Sequence, residues 1–128
     1  MKKFFTLLFS TVLILGSAFK PIAGIDDVVS ALRSGNASEV GKYIDDNVEL
    51  SLPDKSDNYS KAQAIMILKD FFVNNAVTGF EVKHTGDNSG NQFCIGTLNT
   101  RSGAYRTTVF MKTRIGRQSL KEIKIQPL

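Results

Sequence analysis

The chain has 128 residues, with 16 lysines and arginines, 12 aspartates and glutamates, one histidine and one cysteine. Lys2, Lys3 and Lys20 carry three of the positive charges and residues 1–24 contain no acid, so 13 basic and 12 acidic groups remain and residues 25–128 have a net charge of only +1. This balance does not favour nucleic-acid binding, and a single cysteine excludes an internal disulfide. About a hundred residues are enough for one apolar core and too few for two.

The first 24 residues have the pattern of a signal peptide. Two lysines precede the apolar run Phe4–Leu15, and the small residues Gly16–Ala18 follow it. We expect cleavage near residue 18, or at residues 23–24, and hence an exported protein that is periplasmic or extracellular. The alternative is an uncleaved anchor, but the 12 residues of the apolar run would reach only about 18 Å as a helix, across a hydrocarbon core of about 30 Å. Once the leader is removed, we expect no membrane span in residues 25–128.

The first half of the mature chain has the periodicity of helices. Apolar residues recur at helical spacing from Ile25 to Leu32, and residues 34–36 end this segment. A second helix begins at Asn36, and a long third helix runs from Ser60 to about residue 75, each with the residue pattern of a capping box. The third helix is apolar over a wide arc, which predicts packing on more than one side.

Five further segments predict strands. Residues 48–52 alternate apolar and polar side chains and stop at Pro53, whereas residues 53–58 are polar and expected to be irregular. Four strands follow, separated by short glycine-containing turns: Phe80–Thr85, Gln92–Thr100, Tyr105–Arg114 and Leu120–Gln126. Such turns connect antiparallel neighbours. The sequence therefore predicts a single α+β domain over residues 25–128, with a curved, cone-like antiparallel sheet and N-terminal helices packed on one face.

The charges are unevenly distributed along this domain. Residues 26–81 hold ten acids and five bases, and residues 82–128 hold two acids and eight bases. This asymmetry either lets two layers of one domain attract each other or marks a face that attracts anions.

Several segments in this order resemble a known architecture, the nuclear-transport-factor-two-like or cystatin-like cone. More closely, residues 25–125 resemble a family of small exported bacterial proteins named only as a domain of unknown function. The segments that carry the resemblance are SKAQA (60–64), LKDFF (68–72), HTG (84–86), IGTLNT (95–100) and GAYR (103–106). The resemblance implies a fold and an exported location, and it attaches no activity.

Relatives in the wider superfamily include enzymes that resemble ketosteroid isomerase. In those enzymes a carboxylate base precedes the proline that ends the first strand, and a tyrosine of the first helix donates to the oxyanion. Here Leu52 precedes Pro53, and residues 25–33 contain no tyrosine. Since proton abstraction beside a carbonyl needs both groups, the sequence does not favour isomerase chemistry.

His84 and Cys94 are the remaining candidates for chemistry. His84 has the strand parity of Phe80 and Val82, which places it among apolar residues at the mouth of the cone. In one interpretation His84 binds a proton or transfers one at this position. In the other, His84 orients the neighbouring turn through a hydrogen bond. Cys94 lies in an apolar stretch and is interpreted as a buried, inert thiol, the alternative being a reactive one. Neither cysteine and histidine clusters nor calcium-loop spacing occurs, so no metal or cofactor is expected.

Two surfaces are candidates for binding. The first is a pocket for a small apolar or amphipathic ligand between the long helix and the sheet, with Phe72, His84 and Tyr105 as its lining. The second is the outer sheet face, where Arg106, Phe110, Lys112 and Arg114 share one strand parity. A merely solvated face is the alternative interpretation of this second set.

The sequence thus favours an exported, non-enzymatic binding or assembly module of the cell envelope. Its expected partner is a second copy of the chain, forming a homodimer, or another envelope protein. The alternatives are a protein with a pocket for a small apolar ligand and, third, a hydrolase or isomerase centred on His84.

Overall fold

A computed structural model of the protein describes residues 24–128. Residues 1–23, which hold all but the last residue of the predicted leader and the predicted cleavage sites at residues 18 and 23, lie outside the described residues. Within them, three helices and six strands follow one another in chain order.

The three helices begin and end where capping chemistry allows. They are α1 (Ile25–Ser34), α2 (Ala37–Gly41) and α3 (Lys61–Asn75). Gly35 follows α1 in a left-handed conformation with φ 65°, which a glycine adopts at little cost. The Asn36 side chain accepts a hydrogen bond from the amide of Glu39 at the start of α2. At α3 both bonds of the predicted capping box between Ser60 and Gln63 are present.

The six strands form one open sheet. They are β1 (Asn47–Leu52), β2 (Lys55–Ser60), β3 (Val77–Asn88), β4 (Asn91–Thr100), β5 (Gly103–Arg114) and β6 (Arg117–Pro127), in the order β2-β1-β6-β5-β4-β3. The predicted meander of four antiparallel strands is present in β3 to β6. The pairing of β1 with β6 is parallel, which the long connection through β2, α3 and β3 to β5 allows. The sheet is therefore mixed, with four antiparallel pairings and one parallel pairing among the described strands.

The prediction that residues 53–58 are irregular is wrong, since most of them belong to strand β2. Lys55 pairs with Leu52 and Ser60 pairs with Asn47, so β1 and β2 form a hairpin around Pro53 and Asp54. Five of the six residues of β2 are exposed, so the strand lacks the apolar alternation that marks a half-buried strand. An edge strand whose two faces are both polar cannot be recognised from that alternation.

The core lies between the helices and one face of the sheet. Helix α1 packs on β3 and β4, and α3 packs on β1, β2 and α2. The buried side chains of α3 are Ala64, Leu68 and Phe72, whereas Met66 and Val73 are 67% and 69% exposed. The wide apolar arc of α3 is thus buried at its centre, partly buried at Ile65, Ile67 and Phe71 against α2 and the core, and exposed at Met66 and Val73. The α+β fold with N-terminal helices on one sheet face is confirmed.

A β-bulge in β3 changes which side chains face the core. Phe80 pairs with Leu98 and both are buried, but β3 gains one extra residue between Val82 and His84. His84 consequently pairs with Ile95 and lies on the opposite face from Phe80. The parity that placed His84 among apolar residues is therefore wrong, because an extra residue reverses the alternation beyond it.

Asp45 fastens the loop between α2 and β1 to strand β6. Its carboxylate accepts a hydrogen bond of 2.6 Å from the hydroxyl of Ser119 and forms ion pairs with Arg117 and, at 3.8 Å, with Lys121. The backbone amide of Leu120 donates to the carbonyl of Tyr43 in the same loop. The Ser119 hydrogen bond, followed by the nearby positive charges, lowers the pKa of Asp45 although burial acts in the opposite direction.

We expect the variant Asp45→Asn to lose about 1 kcal/mol of unfolding free energy at pH 7, because it removes a charged hydrogen bond and two ion pairs. A carboxyl whose folded pKa is lowered stabilises the fold above its unfolded pKa of about 3.9, and this stabilisation is lost as the pH falls through the folded pKa. The difference between wild type and variant should therefore shrink below about pH 4. Urea unfolding followed by circular dichroism at pH 7 and pH 2.5 measures it, with Asp46→Asn as the exposed neighbouring control. An equal loss at both pH values would contradict the role of the charge.

The turn between β5 and β6 holds a residue that its backbone disfavours. Ile115 has φ 51° and Gly116 has φ 69°, the left-handed pair of a two-residue hairpin turn in which asparagine and glycine are preferred. Ile115 is fully exposed, so no packing compensates the strain of a β-branched side chain there. We expect Ile115→Asn to raise the unfolding free energy by about 1 kcal/mol and the melting temperature by roughly 4 to 8 °C.

Thermal unfolding followed by circular dichroism measures this change. Ser89, with φ 55° in the β3–β4 turn, provides the matched control. Because serine is not β-branched, Ser89→Asn should gain less than Ile115→Asn. An unchanged or lower melting temperature for Ile115→Asn would show that the turn is not strained.

Candidate binding surfaces

The space between helices and sheet is filled by side chains, so the pocket predicted there does not form around Phe72. Phe72 is 3% exposed and belongs to the same apolar cluster as Leu98, Ile123 and Ile125, which are fully buried. Its neighbour Phe71 is only partly buried and packs against this cluster. Phe72 therefore stabilises the core and does not line an accessible pocket.

His84 and Cys94 lie on opposite faces of the sheet and cannot act together. His84 is exposed on the outer face beside Ile95, whereas Cys94 is fully buried beneath α1 and pairs with Thr85. Burial raises the pKa of the Cys94 thiol, and the negative charge of Asp26 raises it further. Cys94 is thus a buried thiol that disfavours the reactive thiolate form.

An open pocket of about 310 Å³ lies at one end of the sheet, between the C-terminal half of α3 and the β1–β2 turn. We call it the Tyr105 pocket, after the one predicted lining residue that contributes to it. Its lining comprises Pro53, Asp54, Lys55, Ile67, Asp70, Phe71, Asn74, Asn75 and Tyr105. One wall is apolar and aromatic, and the rim carries carboxylates, amides and one ammonium group.

The aromatic wall is held in place by a short hydrogen-bonded chain. The rings of Phe71 and Tyr105 meet edge to face, with centroids 5.2 Å apart and an interplanar angle of 76°. The Tyr105 hydroxyl donates to Oδ1 of Asn75 over 3.3 Å, and Nδ2 of Asn75 donates to the carbonyl of Phe71 over 2.8 Å. The last turn of α3 and the start of β5 are thereby fixed relative to each other.

Sequence reasoning missed Phe71, Asp70 and Asn75 as pocket residues. Phe71 and Phe72 are adjacent, and periodicity alone does not indicate which of two neighbouring aromatic residues enters the core of a helix that is apolar over a wide arc. The burial of Ala64, Leu68 and Phe72 at spacings of four sets that direction and turns Phe71 toward β5.

The predicted outer face exists, and the structure enlarges it. On β5, Arg106 and Lys112 are exposed and Phe110 is half-buried, while Thr107, Val109 and Met111 on the other face are buried. Strand β4 adds Phe93 opposite Phe110 and Ile95 opposite Thr108, and β6 adds Glu122 and Lys124 opposite Phe110 and Thr108. We define the outer face by these residues of β4, β5 and β6 together with Arg106.

The apolar centre of the outer face is Phe93, Ile95 and Phe110, all half-buried. Phe93 covers Gly86 of β3 so closely that a Cβ at this glycine would overlap its ring. Arg114, the fourth predicted residue of this surface, lies at the end of β5 beside Ile115, near Asp45 and Arg117. The structure thus brings Arg106, Phe110 and Lys112 onto one strand face and places Arg114 at its margin.

Residues 24–128 lack two other features, a metal-binding cluster and a membrane-spanning helix. No group of three or more histidine, cysteine, aspartate or glutamate side chains in this range is arranged to hold a metal ion. No helix in the same range is long and apolar enough to cross a membrane.

Comparison with known proteins identifies the family. The model of a domain of unknown function, DUF4783, matches residues 25–126. A DUF4783 family protein from Bacteroides ovatus is 32% identical with a TM-score of 0.77, covering 82% of this chain and 96% of that chain. One from Bacteroides uniformis is 30% identical with a TM-score of 0.78, covering 83% and 98%. No curated protein matches the chain.

A more distant similarity shows the fold. An NTF2-like protein of unknown function from Cytophaga hutchinsonii is 10% identical with a TM-score of 0.60, covering 83% of this chain and 90% of that chain. The resemblance inferred from the sequence, to a family of unknown function with a nuclear-transport-factor-two-like fold, is confirmed. The chain belongs to the DUF4783 family.

Proposed function

We propose that the protein is an exported, non-enzymatic assembly module of the cell envelope, and that its outer face binds a second copy of the chain. The observation that carries this proposal is the apolar centre formed by Phe93, Ile95 and Phe110 on a sheet face that none of the helices within residues 24–128 covers. The leader pattern of residues 1–24 supports the exported location.

The chemistry of the outer face fits an interface between copies. Aromatic residues surrounded by a polar rim are the usual composition of an interface core. The rim carries both signs of charge, with Arg106 and Lys124 as bases and Glu122 as an acid. A two-fold interface brings the same patch together twice, so a patch with both charges can pair with itself.

The sheet edges support association through the face instead of through the edges. Strand β2 exposes Lys55 and Asp57 along its length, and charged side chains on an edge oppose pairing with another strand. Strand β3, at the other edge, has register shifts between Val77 and Gly79 and between Val82 and His84. Such irregularities interrupt the regular row of backbone groups that an added strand requires.

The two alternative functions, an enzyme centred on His84 and a ligand-binding pocket, have less support than assembly through the outer face. The hydrolase or isomerase hypothesis depended on His84 at the mouth of a cone, and His84 lies instead on the exposed surface of an edge strand. The ligand-pocket hypothesis keeps Tyr105 but loses Phe72 and His84 from its lining.

Sedimentation velocity over a concentration series tests the proposed assembly. We expect the wild type to associate reversibly. The double charge reversal Arg106→Glu with Lys112→Glu should raise the dissociation constant by about ten-fold or more, because it removes bases that can pair with Glu122 of the second copy and makes both patches mostly acidic, so that they repel each other. Met66→Glu is the matched control, since Met66 is 67% exposed on α3, far from the outer face. Thermal unfolding of each variant verifies that the fold is intact.

A second pair of variants tests self-complementarity. Glu122→Arg alone should weaken association, and combining it with Arg106→Glu should restore much of the wild-type affinity if these charges pair across the interface. A wild type that remains monomeric at all concentrations, or variants that all sediment like wild type, would reject the outer face as a dimer interface.

A further inference from the structure

We propose that the Tyr105 pocket binds an amphipathic organic cation, a small molecule or side chain with a ring or short apolar body and an ammonium group. This proposal is independent of assembly through the outer face. Tyr105 and Arg106 are consecutive residues of β5 whose side chains point to opposite faces, so an occupied pocket leaves the outer face free.

The aromatic wall suits the apolar body and the positive charge together. Ile67, Phe71 and Tyr105 offer an apolar surface, and the two rings are held edge to face. The negative face of an aromatic ring attracts an ammonium group within about 6 Å of its centroid. The volume of about 310 Å³ lies at the lower end of small-molecule pockets and accommodates one ring with a short chain.

The polar rim is rich in acceptors. Asp54 and Asp70 carry carboxylates, and neither forms an ion pair with another residue in the range 24–128. The hydroxyl hydrogen of Tyr105 is used by Asn75, which leaves the lone pairs of the Tyr105 oxygen to accept. A ligand that donates hydrogen bonds and carries a positive charge satisfies these groups.

The net negative charge of the rim disfavours an anionic ligand. Among the lining residues, all within the described range 24–128, Lys55 is the only one with a cationic side chain, and Asp54 and Asp70 carry carboxylates. A carboxylate or phosphate would meet a net negative rim, whereas an ammonium group would be attracted by it. The amide of Asn75 is fixed by its own hydrogen bonds, so the acceptor geometry is present before a ligand arrives.

A matched pair of probes tests the class of ligand. 2-Phenylethylamine and 3-phenylpropionate share a phenyl ring and a two-carbon chain and differ in the sign of the terminal charge. We expect the amine to bind with a dissociation constant on the order of 1 mM and to shift the backbone amide NMR signals of Phe71, Asn75 and Tyr105. The carboxylate should bind at least ten-fold more weakly.

Variants of the rim and wall locate the binding. Asp70→Asn should weaken binding of the amine roughly five-fold, and Asp54→Asn should act in the same direction. Asp57→Asn, an exposed carboxylate of the same β1–β2 hairpin outside the lining, is the control and should change nothing. Tyr105→Phe keeps the ring and should retain binding, whereas Tyr105→Leu should lose it. A high salt concentration should weaken binding of the amine.

If the amine binds, three results would overturn the proposal. They are equal binding of amine and carboxylate, signal shifts confined to other parts of the protein, and an affinity for the amine that survives Asp70→Asn together with Asp54→Asn. Absence of any shift up to about ten times the expected dissociation constant would also reject it, while leaving association through the outer face unaffected.

Discussion

The burial of a single face of the sheet is the constraint on which the rest of the structure depends. Helices α1 and α3 cover the side chains of one strand parity, and the helices within residues 24–128 leave the other parity uncovered. Along β5, residues that are adjacent in the sequence therefore differ in burial. Thr107 and Val109 are buried, whereas Arg106 is exposed and Phe110 is half-buried. A side chain's function therefore follows from the face on which the register places it.

The register is where sequence reasoning succeeded and where it failed. It predicted the two faces of β5 correctly because the bases Arg106, Lys112 and Arg114 share one strand parity, opposite Val109 and Met111. It failed for His84 because the local hydrophobic pattern does not indicate the extra residue in β3. It missed β2 because both faces of this exposed edge strand are polar, so its sequence shows no alternation of apolar and polar residues. The capping box at Ser60 predicted the start of α3 to the residue, since its chemistry is local.

The pocket could be predicted only in part for a related reason. Tyr105 was found because it opens a strand with an apolar parity, but its neighbours come from α3 and the β1–β2 turn, segments distant in sequence. Their convergence depends on the parallel pairing of β1 with β6, which the sequence did not indicate. Periodicity predicts which side chains share one face of a strand. It does not predict which side chains meet through a pairing of strands that are distant in sequence.

The unevenly distributed charges have two different roles in the folded protein. Part of it holds the domain together, since Asp45 of the acidic half pairs with Arg117 and Lys121 of the basic half. Other charges of the basic half form no such contacts. Arg106 and Lys112 are exposed on the outer face and form no ion pair within residues 24–128. Exposed charges contribute little to the stability of a monomer. Asp45 therefore bears on folding, whereas the basic residues of β5 bear on the assembly proposed above.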